Sequence, residues 1–348
     1  MTVRVFGESH APEIGVEIEG VPAGTVIDMI QLQAFLARRA PGNGQGGMST
    51  PRKEPDVPEF ERGVKDGVAD GGLIRAVIRN TNIRPQDYGN VITVPRPGHA
   101  DYSSWIKCGK IPTGGGKWSG RMTAPLCIAG GIALQMLAKA GVEIHARVVA
   151  VGGREIAPNG QDARSPVNDV CPADDSVGAV VEVVATGVPQ GLGDVGTDGL
   201  ESKLAAAFFG IPAVKGVEFG DGFRLAEMRG SEANDAFVPT EANAGLSSSV
   251  SSPSRLASSV SRPPVPVTLR TNHCGGILGG VSIGTPIVAR LAFKPTPSIA
   301  REQDSVDLRT LKPVKLAIRG RHDRCVAFRA VPVVEAAMAI ALETEIFG

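Results

Sequence analysis

The polar and apolar positions of this chain fall into short periodic runs. Residues 15–19 alternate and predict a strand. Asp28 stands where it can cap a helix over 29–39, whose apolar stripe is Leu32, Phe35 and Leu36. Arg38 and Arg39 then fall in its last turn, where cations are favourable. Residues 73–79 predict a strand with Ile74, Ala76 and Ile78 on one face. Residues 122–140 are apolar nearly all round, with Leu126, Ile128, Ile132, Leu134, Met136 and Leu137, and a helix lacking a polar face is buried. Gly141 ends it, and strands are expected over 142–151, 180–184, 214–219 and 287–293. Asp198 is placed to cap a helix reaching about residue 209, and Pro332 suits the first turn of a final helix to about residue 343. A buried central helix among strands implies sheets on both sides of helices, an α+β chain. Between these runs lie a glycine-rich loop at 42–47 and a serine- and proline-rich stretch at 247–266, too polar to bury itself and read as a mobile loop.

Composition narrows the classes. With 348 residues, 42% hydrophobic, the chain can build a large core. Aromatics are only 4% beside 44 Gly and 26 Pro, so that core is aliphatic and the turns many. Lys plus Arg and Asp plus Glu are both 36, so no global field points to nucleic acid or an acidic membrane. The basic and aromatic interleaving of single-strand binders is missing. The 5 cysteines, an odd number without a CxxC, give neither a disulfide framework nor a zinc site. The N-terminus has no apolar h-region and no uninterrupted apolar run reaches membrane length, so a soluble, cytoplasmic protein is expected.

The chemistry is concentrated in short phrases that couple Gly or Pro to a cation, a hydroxyl or an imidazole: Gly7-Glu8-Ser9-His10, Arg96-Pro97-Gly98-His99-Ala100-Asp101, Gly114-Gly115-Gly116-Lys117-Trp118-Ser119-Gly120-Arg121, Lys294-Pro295-Thr296-Pro297-Ser298 and Gly320-Arg321-His322-Asp323. Flexible backbone beside charge suits a ligand whose phosphate and carboxylates lie close to the main chain. His10 reads as a general acid or as a hydrogen-bonded structural group. The turn at 96–101 can aim Arg96 and His99 at one ligand while Asp101 orients the imidazole, or it is an ordinary polar loop. The glycine triplet lets backbone amides approach a phosphate, and Ser119 and Arg121 open the buried helix at its positive end; the bland alternative is a plain connecting loop. Two prolines stiffen 294–298, so Lys294, Thr296 and Ser298 are presented at little ordering cost. Asp323 is a possible base and Arg321 a phosphate fork, though a surface ion pair has the same sequence. His145 and His273 read as structural. The run 191–196 matches G-x-G-x-x-G after a strand, with Glu218 at about the spacing of a ribose-binding acid, which keeps an NAD(P)H oxidoreductase as a rival.

Taken in this order, the phrases resemble chorismate synthase over nearly the whole chain. Gly20-Val21-Pro22-Ala23-Gly24, Val214-Lys215-Gly216-Val217-Glu218, Gly275-Gly276-Ile277-Leu278-Gly279-Gly280 and Arg329-Ala330-Val331-Pro332 also match. The resemblance implies one domain over residues 1–348, a β-α-β sandwich with helices packed between antiparallel sheets, and a homotetramer. It implies a lyase that converts 5-enolpyruvylshikimate 3-phosphate to chorismate and phosphate by anti-1,4-elimination, the seventh step of the shikimate pathway. The reaction needs reduced FMN without net redox change, an electron being lent to the substrate and recovered. The length leaves no room for a flavin reductase, so an external system is expected to reduce the FMN. By the same resemblance His10 protonates the departing phosphate, His99 sets the protonation of the reduced flavin in favour of its electron-rich form, and Asp323 helps the flavin N5 accept the C6 hydrogen. Ser9, Arg39, Arg96, Ser119, Arg121 and Arg321 are implied to hold substrate. Lys117, Trp118, Ser119, Pro212, Ala213, Gly279, Lys294, Pro295, Thr296, Pro297, Ser298 and Arg321 are implied to hold flavin. Trp118 stands where the family has a hydroxyl, Pro212 where it has an asparagine, and the first strand is expected to be cut short. A rival of another class is a non-catalytic protein that binds flavin or a phosphorylated acid.

Overall fold

The computed structural model describes residues 1–41, 55–81, 91–156, 170–239, 265–318 and 322–348. The glycine-rich loop at 42–47, Arg321, and all but the last two residues of the 247–266 stretch lie outside the described residues. One sheet consists of β1 (Thr2–Gly7), β2 (Glu13–Glu19), β3 (Glu59–Arg62) and β4 (Ile74–Arg79), in the order β1-β2-β4-β3 with every pairing antiparallel. A second antiparallel sheet consists of β5 (Glu143–Val151), β6 (Arg154–Glu155), β7 (Ala179–Thr186), β8 (Val214–Phe219) and β9 (Ile287–Phe293), in the order β8-β9-β7-β5-β6. The principal helices are α1 (Met29–Arg39), α2 (Asp101–Cys108), α3 (Thr123–Lys139), α4 (Leu200–Phe209) and α5 (Ala327–Phe347).

Helices lie between the two sheets. α3 packs on β2 and β4, α5 packs on β5 and β7, α3 and α5 lie against one another, and α1 touches both. Each sheet offers that layer an aliphatic face because its residues alternate. Ile14 pairs with Ile78, Val16 with Ala76 and Ile18 with Ile74. On the other sheet Ile287 pairs with Ala185, Ala289 with Val183 and Leu291 with Val181. All of these are buried. Gly130 of α3 lies so close to Ala336 of α5 that a methyl group at 130 would overlap it. The expected α+β layering is therefore what the chain adopts. Met29–Arg39 is helical as expected, and the Asp28 carboxylate accepts from the amides of Ile30 and Gln31 at 2.9 Å each.

Two expectations need correction. Asp198 does not cap α4; it sits in a short turn, and the Leu200 amide instead donates to Gly280 O at 2.8 Å, so the helix start is capped by a distant turn. The final helix begins at Ala327, which leaves Pro332 in its second turn. A proline there removes a helix hydrogen bond, a loss the burial of Val333, Val334 and Met338 offsets. Thr2 to Gly7 of β1 each find a partner on β2. Gly120–Lys139 is long and apolar enough by length and composition to cross a bilayer, yet it is mostly buried inside the protein as the central helix of the sandwich. The 191–196 run opens no parallel βαβ unit, because the sheet beside it is antiparallel. Its Gly193 is instead needed for close backbone packing against Gly280, which removes the dinucleotide-binding rival.

Candidate active site

The glycine triplet is the centre of the site. Gly114, Gly115 and Gly116 have φ of 63, 89 and 52, the left-handed region that side chains avoid. The room that side chains would take is filled by imidazoles. A Cβ at Gly114 would overlap the His10 ring, and one at Gly115 would lie 3.1 Å from Cε1 and 3.4 Å from Nε2 of His99. Two histidines 89 positions apart in the chain thus rest on successive residues of one turn. The loop after β1 is pinned there: the Ser9 amide donates to Gly116 O at 3.3 Å, its Oγ to Gly114 O at 3.2 Å, and the same Oγ lies 3.1 Å from His10 Nδ1. The structure uses the triplet to seat the two rings, with the Gly115 amide donating to Pro112 O at 3.1 Å.

His99 belongs to a buried polar group at the start of α2. Asp101 Oδ1 is 2.6 Å from His99 Nδ1, and Arg96 donates to Asp101 through Nε at 2.7 Å, Nη2 at 2.8 Å and its backbone amide at 3.1 Å. Arg96 Nη1 also reaches Ser298 Oγ at 3.0 Å. Burial lowers the His99 pKa below the ordinary imidazole value, with Arg96 and Lys294 adding to that and Asp101 opposing it. Burial alone would raise the Asp101 carboxyl, but Arg96 and His99 hold it well below the usual range. An open cleft of about 560 Å³ adjoins this turn, lined by Pro97, His99, Tyr102, Ser103, Asp304 and Val306 among others.

The segment 294–298 meets the same turn. Lys294 Nζ donates to Gly98 O at 2.6 Å, and the Lys294 amide donates to Ala213 O at 2.9 Å. Pro212 and Ala213 therefore adjoin Lys294. Thr296 Oγ1 is buried without a hydrogen-bond partner. A buried hydroxyl left unmade is costly unless a ligand completes it, so this loop suits a polar group of a bound flavin. Lys117 Nζ sits 4.7 Å from the ring centre of Trp118, immediately after the triplet. Gly279 stands apart: it lies in the turn beside Gly280 and the start of α4. Lys294 follows the opposite end of β9, roughly 20 Å away along a strand of this length.

The arginines form a buried network. Arg39 donates to Asp56 Oδ2 at 2.6 Å, to Thr123 Oγ1 at 3.1 Å and to Gly120 O at 3.1 Å. Arg121 pairs with the other oxygen of Asp56 and donates to Asn80 Oδ1 at 3.2 Å. Ser119 Oγ accepts from the Arg121 amide at 3.3 Å. Burial would raise the Asp56 carboxyl, but Arg39 and Arg121 more than reverse that and hold it low. Asp323 accepts from Arg329 Nη1 at 2.9 Å, and Arg329 Nε donates to Arg39 O at 3.1 Å. Asn80 Nδ2 closes the circuit to the His10 loop by donating to Ala11 O at 2.8 Å. A continuous set of contacts therefore joins the loop that carries His10 to Arg121, Arg39 and Asp323. Asp56, Asn80 and Arg329 were missed in the sequence. Arg329 had a signal, because a charge in an apolar helix must be paired when buried; Asp56, between Pro55 and Pro58, had none.

Comparisons with known proteins place the chain in a family. The family model described as chorismate synthase matches residues 1–347. A chorismate synthase of Lancefieldella parvula is 41% identical over 98% of this chain and 93% of that protein. One of Pyrococcus abyssi is 40% identical over 98% of this chain and 94% of its own length. A solved structure titled as a crystal structure of chorismate synthase superposes with a TM-score of 0.71 at 24% identity, covering 99% of this chain and 90% of that one, which shows a common fold. With the family pattern matched from end to end and its two histidines seated on one turn, this chain belongs to the chorismate synthase family.

Proposed function

We propose that the chain is a carbon–oxygen lyase that converts 5-enolpyruvylshikimate 3-phosphate to chorismate and phosphate by anti-1,4-elimination, the seventh step of the shikimate pathway. The observation that carries this reading is the pair of imidazoles on Gly114 and Gly115, next to a buried arginine network. His10 stands ready to give a proton to the departing phosphate oxygen. In the network, the guanidiniums of Arg39, Arg121 and Arg329 gather around the carboxylates of Asp56 and Asp323, and such grouped guanidiniums suit the phosphate and carboxylates of an anionic substrate. Ser9 and Ser119 border that region, and Arg96 braces His99 from behind. Arg321 belongs to the same proposed anion site. Asp323, held by Arg329, would help the flavin N5 accept the C6 hydrogen.

Reduced FMN, when bound, supplies a transient electron to the substrate. Lys294, Pro295, Thr296, Pro297 and Ser298, with Pro212 and Ala213, would hold it, and Lys117, Trp118 and Ser119 would border its ring. Gly279 belongs to that set only if another part of the assembly brings it near, which is consistent with a proposed homotetramer. The FMN is taken to be reduced by an external system. The test is anaerobic incubation with dithionite-reduced FMN and 5-enolpyruvylshikimate 3-phosphate, followed by chorismate absorbance. Multiple turnovers are expected; no chorismate from folded protein with saturating reduced FMN sinks the proposal.

A further inference from the structure

The hydrogen at His99 Nδ1 can be assigned from its surroundings. Two groups compete for that atom: Asp101 Oδ1 at 2.6 Å and Arg96 Nη2 at 3.1 Å. If Nδ1 carried a lone pair, it would point that pair at a carboxylate oxygen 2.6 Å away, a repulsive contact. Arg96 Nη2 has a better acceptor in Asp101 Oδ1 at 2.8 Å. Asp101 is enclosed and ionised, so it can only accept. The hydrogen therefore sits on Nδ1, and the other nitrogen, Nε2, faces the glycine turn, 3.4 Å from the Cβ position of Gly115.

We propose that Asp101 is a positioning residue, which holds His99 as the Nδ1–H tautomer so that Nε2 meets the ligand as a proton acceptor. This deepens the proposed function and rests on it for the identity of the ligand. A proton taken up at Nε2 leaves an N–H or O–H of the bound ligand, making the ligand more negative by one charge and the ring cationic. Asp101 stabilises that imidazolium, while Arg96 and Lys294 oppose it, and the His10 ring rests on the adjacent residue of the glycine turn. The balance keeps the ring neutral at rest and able to charge when an electron-rich ligand needs to lose a proton.

The Asp101→Asn variant tests the idea because its outcome follows from the donors present. Oδ2 receives two donors that cannot change role, Arg96 Nε at 2.7 Å and its backbone amide at 3.1 Å, whereas Oδ1 receives one such donor, Arg96 Nη2 at 2.8 Å, beside a His99 nitrogen whose hydrogen can move to Nε2. The amide oxygen of Asn will take that place, which turns its NH2 toward His99 Nδ1. A donor there forces the proton onto Nε2, the wrong tautomer. Histidine 15N spectra of the labelled protein, with the His99 signals identified by their loss in His99→Gln, read this directly and without activity. Wild type should show a protonated Nδ1 and an unprotonated Nε2 at neutral pH; Asp101→Asn should show the reverse. Its turnover should fall by about 10²–10⁴-fold with a circular dichroism spectrum unchanged. A protonated Nε2 in neutral wild-type His99 overturns the proposal even if the variant fails to fold. So does a variant that keeps both the tautomer and the rate. Wild type with the expected tautomer but no chorismate formation would instead count against the proposed reaction and leave the assignment of Asp101 standing.

Discussion

At Gly114 one atom separates a working arrangement from a spoiled one. A methyl group there meets the His10 ring and also requires a left-handed φ of 63 from a residue with a side chain. Gly114→Ala should therefore displace His10 while leaving both sheets intact. A shift of about 1 Å at a reacting group costs on the order of 10²-fold in rate, and steady-state kinetics beside an unchanged circular dichroism spectrum is the check. His10→Ala and His99→Ala should each lower turnover strongly, by about 10²–10⁴-fold, and near-normal rates in either would remove that residue from the chemistry. These histidines were legible because each lies in a short phrase with Gly or Pro close by, outside the periodic runs. Asp56 was not legible. Its side chain is 0% exposed, yet it lies on no helix or strand, and the arginines it joins come from 39 and 121. A carboxylate whose partners are remote in sequence leaves no local pattern to read. Asp56→Ala leaves two buried guanidiniums facing each other, and breaking a buried pair costs about 3–5 kcal/mol. A lower unfolding midpoint in denaturant should report it, with Asp56→Asn losing less because asparagine also tolerates the φ of 49 found there.

Among the elements, strands and long helices followed from periodicity, while their ends depended on contacts that periodicity cannot express. The start of α4 is the plain case: Asp198 is a good capping residue by type, but Gly280 reached the helix amide first. α5 is another, since the apolar pattern holds Pro332 inside a helix that propensity alone would have begun there. The α3–α5 contact gives an element-scale prediction of unusual sign. Replacing glycine by alanine inside a helix normally stabilises it by about 1 kcal/mol. At Gly130 the added methyl meets the Cβ and Cα of Ala336, so backbone must move. Overpacking of this kind costs about 1–3 kcal/mol, and Gly130→Ala should lower the melting temperature. An unchanged or raised value would mean that the two helices do not pack as closely as described.

For the whole molecule, charge balance makes the pH dependence of stability a local matter. With 36 basic and 36 acidic side chains there is no large net charge whose self-repulsion would dominate near neutrality. The decisive groups are those whose pKa differs between folded and unfolded chains. His99 has a lowered pKa in the fold, so between its folded value and its ordinary 6.5 the unfolded chain binds more protons. Stability then rises with pH through that window and is lost as pH falls below about 6.5. Asp56 and Asp101 are also lowered, so their contribution is complete above about 3.9 and disappears in acid below it. Two separate losses are expected on acidification. The first should be absent in His99→Gln, and the second should shrink in Asp56→Asn. Denaturant midpoints measured from pH 8 downward separate them. If His99→Gln follows the wild-type curve through the upper window, His99 is not held neutral by its burial, and the resting state assigned to the site is wrong.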